Sequence, residues 1–486
     1  MIYENFTFSK TGEKIPVFSS GKLFHSKYNP QKEAEQLAEN TEESDFFLVT
    51  GIGAGIQIKA LQKKFPNSFI LAVEASDEDL NFLLENFPEL KEIKNEKTTF
   101  CSIENLEQTL TKTYIPALYS SFSVFSVKSW LLEIDEKALS IKINNALSEI
   151  SKDFSVQAHF AKIWQKNILE NLRLADKNID LELPAEKECI IIAAGPSLDS
   201  KINFLRKNRE NLFIFATDTA FLSLEKQEIV PDAVISIDGQ MISYKHFVKK
   251  PDEKTLFIFD LMANPSAVRQ IKKYTDNIIF SVTNHPFEQF CAETAPESFI
   301  KADASSGTVT IAALDFALKA GFSKIKIFSA DFGYLNGKPY AKGTYLDNIN
   351  YSAQKKTFSA EKLFLNLMFR SPLKKVSETK KTTDILEFYE KNLYSWSEKN
   401  NCGIKKENDY YILQKKQEGA KKICLKKFNI QNFSEIIKEK SKEQHFFVVL
   451  LPLIAYFKNQ DLKNGTTRSF YEYSKLALNF ILRYNF

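Results

Sequence analysis

Cysteine is scarce in this 486-residue chain, and its five copies, Cys101, Cys189, Cys291, Cys402 and Cys424, stand singly with no C-x-x-C spacing. That excludes a zinc-ribbon site and a disulfide framework, and it fits a reducing compartment. Histidine is equally sparse: His25, His159, His246, His285 and His445 lie far apart, so no His-rich metal centre is expected. The N-terminus, Met-Ile-Tyr-Glu-Asn-Phe-Thr-Phe, lacks the basic and apolar regions of a signal peptide. The most apolar late run, residues 446–457, is interrupted by Pro452 and too short to span a bilayer. A cytoplasmic protein with no membrane span is expected. No G-x-x-x-x-G-K-[ST], H-E-x-x-H or G-x-S-x-G occurs, which argues against a Walker-type ATPase, a zincin and an α/β-hydrolase. Net charge is only +4, which gives no reason to expect nucleic acid as a partner. Lysine pairs do crowd the region after residue 350, as in Lys355-Lys356, Lys374-Lys375, Lys421-Lys422 and Lys426-Lys427. Solvated surface lysines explain them more cheaply than an acidic partner.

What is present is an α/β pattern in a chain long enough for two or three domains. Two β-like pieces (3–8 and 14–18) and a polar helix (30–39) come first. Phe46–Thr50 then reads as a strand, Gly51-Ile-Gly-Ala-Gly55 as a tight turn, 56–65 as a helix and 69–73 as a second strand ending at Glu74. Such a βαβ unit binds nucleotides, with the acid on ribose hydroxyls. Val49, however, stands where methyltransferase-like Rossmann domains carry an acid, which favours a scaffold with no ligand, or an unknown one. Residues 130–180 lack glycine and carry apolar residues at helical spacing. From 189 to 330, short apolar strands recur with gaps that require crossovers, so the sheet is expected to be mainly parallel and doubly wound. After 351 the strand signal fades into lysine-rich helical segments. The expected division is a Rossmann-like domain at 1–129, a helical connector at 130–182, a central catalytic α/β domain at 183–350 and a helical domain at 351–486.

The most informative stretch is residues 189–199, Cys-Ile-Ile-Ile-Ala-Ala-Gly-Pro-Ser-Leu-Asp. A buried strand stops at Gly195-Pro196-Ser197 and a helix follows, so free N–H groups face the crevice and suit a phosphate. Taken alone, the same turn serves as a plain strand–helix joint about as often. Other strand ends add Asp218, Asp238 with Gly239, Asp260, His285 and Asp331, and a second glycine- and hydroxyl-bearing helix start appears at Ser305-Ser306-Gly307-Thr308. Single acids at strand ends more often cap turns, but their recurrence points to a nucleotide-linked substrate. Asp238 and Asp331 are expected to be near neighbours across the crevice. His285, a lone histidine before a proline, is more often a loop residue than a base.

The ordered set of Gly195-Pro-Ser-Leu-Asp199, Pro231-Asp-Ala-Val-Ile-Ser-Ile-Asp238, Ser305-Ser-Gly-Thr-Val-Thr310, and Ala320-Gly-Phe leading to Ile327-Phe-Ser-Ala-Asp331 resembles the motility accessory factor family. Phe160-Ala-Lys-Ile-Trp-Gln-Lys-Asn167 and the Gly51–Glu74 segment match it too, so the likeness covers roughly residues 45–345. It implies a flagellin glycosyltransferase whose central domain is shared with 6-hydroxymethylpterin diphosphokinase-like proteins and is akin to bacterial sialyltransferases. The implied reaction moves a nonulosonic sugar, such as pseudaminic or legionaminic acid, from a CMP-activated donor to serine or threonine of flagellin. Gly195, Pro196, Ser197, Ser306, Gly307 and Thr308 would then hold the CMP portion. Asp218 or Asp238 would hold ribose or sugar hydroxyls, and Asp331 or His285 would act as base, with Asp238 a further candidate for base or metal ligand. The sequence departs from the family near Asp218, where asparagine is frequent, and at Tyr340, where a histidine is common shortly after the acidic strand end. No cofactor beyond the CMP-sugar is required, and Mg2+ enters in a rival reading, in which ATP-dependent pyrophosphoryl transfer to a pterin alcohol uses the same rim. A non-catalytic flagellin-binding protein is the other rival. Residues 351–486 are left for recognition of flagellin.

Overall fold

The computed structural model describes residues 1–303, 308–415 and 422–484. Two compact units divide the chain, Met1–Ala161 with Leu451–Leu478, and Lys162–Leu450 with Asn479–Phe486.

In the first unit, β1 (Tyr3–Phe8) and β2 (Lys14–Phe18) form an antiparallel hairpin. β3 (Phe46–Thr50), β4 (Phe69–Glu74), β5 (Thr98–Ser102) and β6 (Phe122–Ser126) form a parallel sheet in the order β5-β4-β3-β6. All five residues of β3 are buried, as a central parallel strand covered on both faces requires. α1 (Ile56–Lys64) follows the glycine-rich turn, and α2 (Lys128–Leu131) and the long α3 (Glu136–Leu172) follow β6.

The second unit is built on a nine-stranded sheet among the described residues. β7 (Ile179–Glu182) lies outside it, paired antiparallel with β20 (Lys422–Leu425). β8 (Glu188–Ile192) and α4 (Leu198–Asn208) lead to β9 (Leu212–Thr217) and α5 (Asp218–Lys226). β10 (Ala233–Ser236), β11 (Leu256–Asp260), β12 (Ile278–Val282), α6 (Pro286–Thr294) and β13 (Ile300–Lys301) continue, then α7 (Val309–Lys319) and β14 (Lys324–Phe328). Beyond a small sheet of β15 (Tyr334–Leu335), β16 (Lys374–Lys375) and β17 (Lys380–Thr382) come β18 (Gly403–Glu407) and β19 (Tyr410–Gln414). The order is β13-β12-β11-β10-β9-β8-β14-β19-β18, parallel from β13 to β14, with β19 antiparallel to its neighbours. Ile191, Phe215, Ile235 and Ile258 meet Ile311, Leu314 and Phe316 of α7 in its core.

Two expectations are corrected. The connector is not a separate element: α3 ends at Leu172, its longer N-terminal part and shorter C-terminal part belong to different units, and β7 occupies residues expected to be helical. Residues 351–486 do not form a helical domain. α8 (Ala360–Met368) and α9 (Asp384–Lys399) belong to the second unit, whose sheet β18 and β19 extend, while α10 (Leu451–Lys463) belongs to the first. There the buried Lys458 ammonium donates to the carbonyls of Pro116 (2.6 Å) and Tyr119 (3.0 Å), and burial lowers its pKa to about 8. Among the described residues no helix is long and apolar enough to cross a membrane.

Candidate active site

The parallel strands of the second unit deliver their loops to one edge of the sheet. From β8 the chain steps outward through β9 to β13, then returns to place β14 on the other side of β8. Connections therefore diverge between β8 and β14 and leave a crevice above their carboxyl ends. A cleft of about 370 Å³ lies there. It is lined by residues 193–195 after β8, 217–219 at the β9–α5 junction, 308–310 at the start of α7 and 329–334 after β14. Tyr340, Leu367 of α8, and Leu386 and Tyr389 of α9 complete the wall.

Gly195 lines this cleft, but its backbone is not left-handed. Glycine is needed there for close approach: a Cβ would stand 2.3 Å from an Asp331 carboxylate oxygen and 2.4 Å from the Ser329 carbonyl. The Ser197 N–H donates to Asp331 Oδ2 at 2.9 Å. The helix start expected to cradle phosphate thus already holds an anion of the chain itself, satisfying an otherwise unpaired N–H at the positive end of α4. Pro196 and Ser197, expected on phosphate, do not line the cleft, and the Asp331 carboxylate, expected as a base, lines it while accepting from Ser197. Burial raises the Asp331 pKa, opposed by the hydrogen bonding of Ser197. The segment bearing it is strained: Ser329 (φ 61°) and Phe332 (φ 42°) are left-handed without being glycine, each at a cost on the order of 1 kcal/mol.

Asp218 opens α5 with an oriented carboxylate. One oxygen accepts from the Thr219 N–H (2.6 Å) and hydroxyl (3.1 Å), the other from the Ser236 hydroxyl (2.7 Å). Asp238 lies beyond β10 and accepts from the Gln240 N–H at 2.9 Å. Burial raises its pKa, and the Asp218 charge adds to the effect. β8 and β9 stand between β10 and β14, so Asp238 and Asp331 do not face each other as expected. His285 is further off, beyond β12, and does not line the cleft. Its Nδ1 accepts from the Phe287 N–H (3.3 Å) as the cap of α6, and burial pushes its pKa down to about 3. His285, expected on the rim, is thus buried as the cap of α6, away from the cleft.

Thr308 caps α7, its hydroxyl accepting from the Ile311 N–H at 3.3 Å, and lines the cleft. Ser306 and Gly307 lie outside the described residues. Tyr340, which stands where a histidine is common in the family, lines it as well, together with two phenols not expected from the sequence, Tyr334 and Tyr389. Burial raises the pKa of Tyr334 and Tyr340, so both remain hydrogen-bond donors near neutral pH. Among the described residues no group of three or more His, Cys, Asp or Glu is placed to hold a metal ion.

A family model described as 6-hydroxymethylpterin diphosphokinase MptE-like matches residues 162–337, which begin where the second unit begins and hold β8 to β14. Two proteins of Treponema pallidum (strain Nichols), each described as an uncharacterized protein, are similar to this chain. One is 38% identical over 150 residues, covering 30% of this chain and 71% of that protein. The other is 37% identical over 138 residues, covering 28% of this chain and 49% of that protein. A solved structure described as MAf glycosyltransferase from Magnetospirillum magneticum AMB-1 aligns over 99% of this chain and 86% of its own, at 14% identity and a TM-score of 0.49.

Proposed function

The chain belongs to the 6-hydroxymethylpterin diphosphokinase MptE-like family, and from that premise we propose that it is a glycosyltransferase of the motility accessory factor type. In this reading it moves a nonulosonic sugar from a CMP-activated donor to serine or threonine hydroxyls of flagellin in the cytoplasm. The observation that carries the reading is the position of the cleft at the point where strand order reverses, the place where open parallel sheets bind nucleotides.

Departure of CMP leaves an oxocarbenium-like sugar, so stabilising the leaving phosphate matters more than activating the attacking hydroxyl. The protonated phenols of Tyr334 and Tyr340, and the start of α7 at Thr308–Thr310, would supply donors to that phosphate. Asp218, its carboxylate fixed by Thr219 and Ser236, would accept from a ribose or sugar hydroxyl. Phe332, Leu367 and Leu386 would keep water from the reactive sugar. The phosphate of CMP can itself take the acceptor proton, so neither Asp331 nor His285 is required as base.

The family description supports a second reading, pyrophosphoryl transfer from ATP to a pterin alcohol, with Asp218 on Mg2+. Intact-mass analysis of flagellin from cells with and without this gene tests the first reading. Loss of a nonulosonic-acid mass increment without the gene is expected, and an unchanged flagellin mass contradicts it.

A further inference from the structure

The first unit has the glycine-rich turn and acidic strand end of a nucleotide-binding βαβ unit, yet its crest is filled by the chain itself. Glu74, at the end of β4, is 0% exposed. Its Oε2 accepts from the Tyr3 hydroxyl (3.1 Å) and the Ile52 N–H (3.1 Å), and its Oε1 from the Ala75 N–H (2.9 Å) and the Trp130 indole N–H. A carboxylate offers about four acceptor sites, and these donors use them. Burying a charge at this depth is tolerable only with such pairing.

The glycines make room for Trp130 and for other apolar side chains of the same unit. A Cβ at Gly51 would stand 2.7 Å from the Trp130 ring, one at Gly53 2.5 Å from the Phe24 ring, and one at Gly55 2.4 Å from Ile93. Ser129 of α2 donates its hydroxyl to the Phe24 carbonyl (2.6 Å), fixing the loop that brings Phe24 over the turn. Tyr3, Phe18 and Phe24 pack ring on ring at centroid distances of 5.3 to 6.4 Å. In an open unit the bare glycine backbone admits pyrophosphate and the acid takes ribose hydroxyls. Here an indole and a phenol hold the acid, aromatic rings cover Gly51 and Gly53, and Ile93 and Leu90 cover Gly55.

We propose that the ligand of the first unit is the chain's own Trp130 and Tyr3, which occupy on Glu74 the place of a nucleoside's hydroxyls, so that this unit is a sealed scaffold pinning the N-terminal hairpin and α2 rather than a cofactor-binding enzyme. The full-length protein tests it. Calorimetric titration with S-adenosylmethionine and with NAD at millimolar concentration should give no binding. The Trp130→Gly variant should lower the melting temperature of the first unit by about 10 °C, and free indole should restore most of the loss by filling the vacated site. Should that variant fail to fold, Trp130→Phe keeps most of the ring volume, removes the N–H on Glu74, and should melt several degrees below the wild type. Stoichiometric binding of either cofactor to the wild type, abolished by Glu74→Gln, overturns the proposal. So does indifference of the Trp130→Gly protein to indole, or a Trp130→Phe protein as stable as the wild type.

Discussion

At the scale of single residues, burial decides what each titratable group can do. His285 is held neutral, its pKa lowered from an ordinary 6.5 to about 3. A depressed folded pKa means that the unfolded chain binds the proton more readily, so stability is full above pH 6.5 and falls as the pH drops towards 3. At pH 5 this one group costs about 2 kcal/mol. The variant His285→Asn keeps a capping acceptor and removes the titration. Urea unfolding should therefore depend less on pH between 7 and 5 in the variant, with transfer activity preserved. Equal pH slopes would contradict the capping role, and a hundredfold loss of activity would restore His285 as a base. Asp331 separates in the same manner. Asn at this position still accepts from the Ser197 N–H and should leave stability nearly unchanged, whereas Asp331→Ala should cost about 1 kcal/mol in the same assay. Equal stability of the two variants would mean that the bond to α4 contributes nothing.

At the scale of elements, the cleft depends on segments far apart in sequence. Tyr334→Phe and Tyr340→Phe should each lower turnover about tenfold or more if the phenols stabilise departing phosphate, with little change in melting temperature. Unchanged turnover in both would move that task to the start of α7. Buried parallel strands were legible because they are continuous apolar runs: Phe46–Thr50 coincides with its expected bounds, and the apolar strands expected between 189 and 330 include Ile278–Val282. Strand order was not legible, since apolar runs carry no record of which neighbours pair, and so the separation of Asp238 from Asp331 by β9 and β8 could not be foreseen. β18 and β19 were missed for a different reason. Gly403–Glu407 is an exposed, lysine-bearing edge strand, and its hairpin turns at the left-handed Asn408 (φ 54°), a weak signal in a lysine-rich segment. Leu386, Tyr389 and Leu393 show ordinary helical spacing, which indicates a buried face but not the cleft it borders. The self-capping of α4 by Asp331 left no local sign, because its partner lies 134 residues away.

For the whole molecule, the C-terminal region is part of both units rather than an appended recognition tail. β19 pairs with β14 along its length, Tyr411 and Leu413 enter the core, and Leu367, Leu386 and Tyr389 wall the cleft. Deleting residues 351–486 should therefore leave a protein that neither folds cooperatively nor binds nucleotide, as far-UV circular dichroism during thermal melting would show. A folded, CMP-binding truncation would return recognition of the acceptor to the tail. The central claim is that the cleft between β8 and β14 holds the cytidine nucleotide of a sugar donor, and calorimetric titration of the full-length protein with CMP tests it most directly. Saturable one-to-one binding of CMP, lost in a folded Gly195→Val variant whose side chain would collide with Asp331 and Ser329, is the predicted result. Absence of CMP binding, with ATP and Mg2+ bound instead in a manner sensitive to the same substitution, would contradict it.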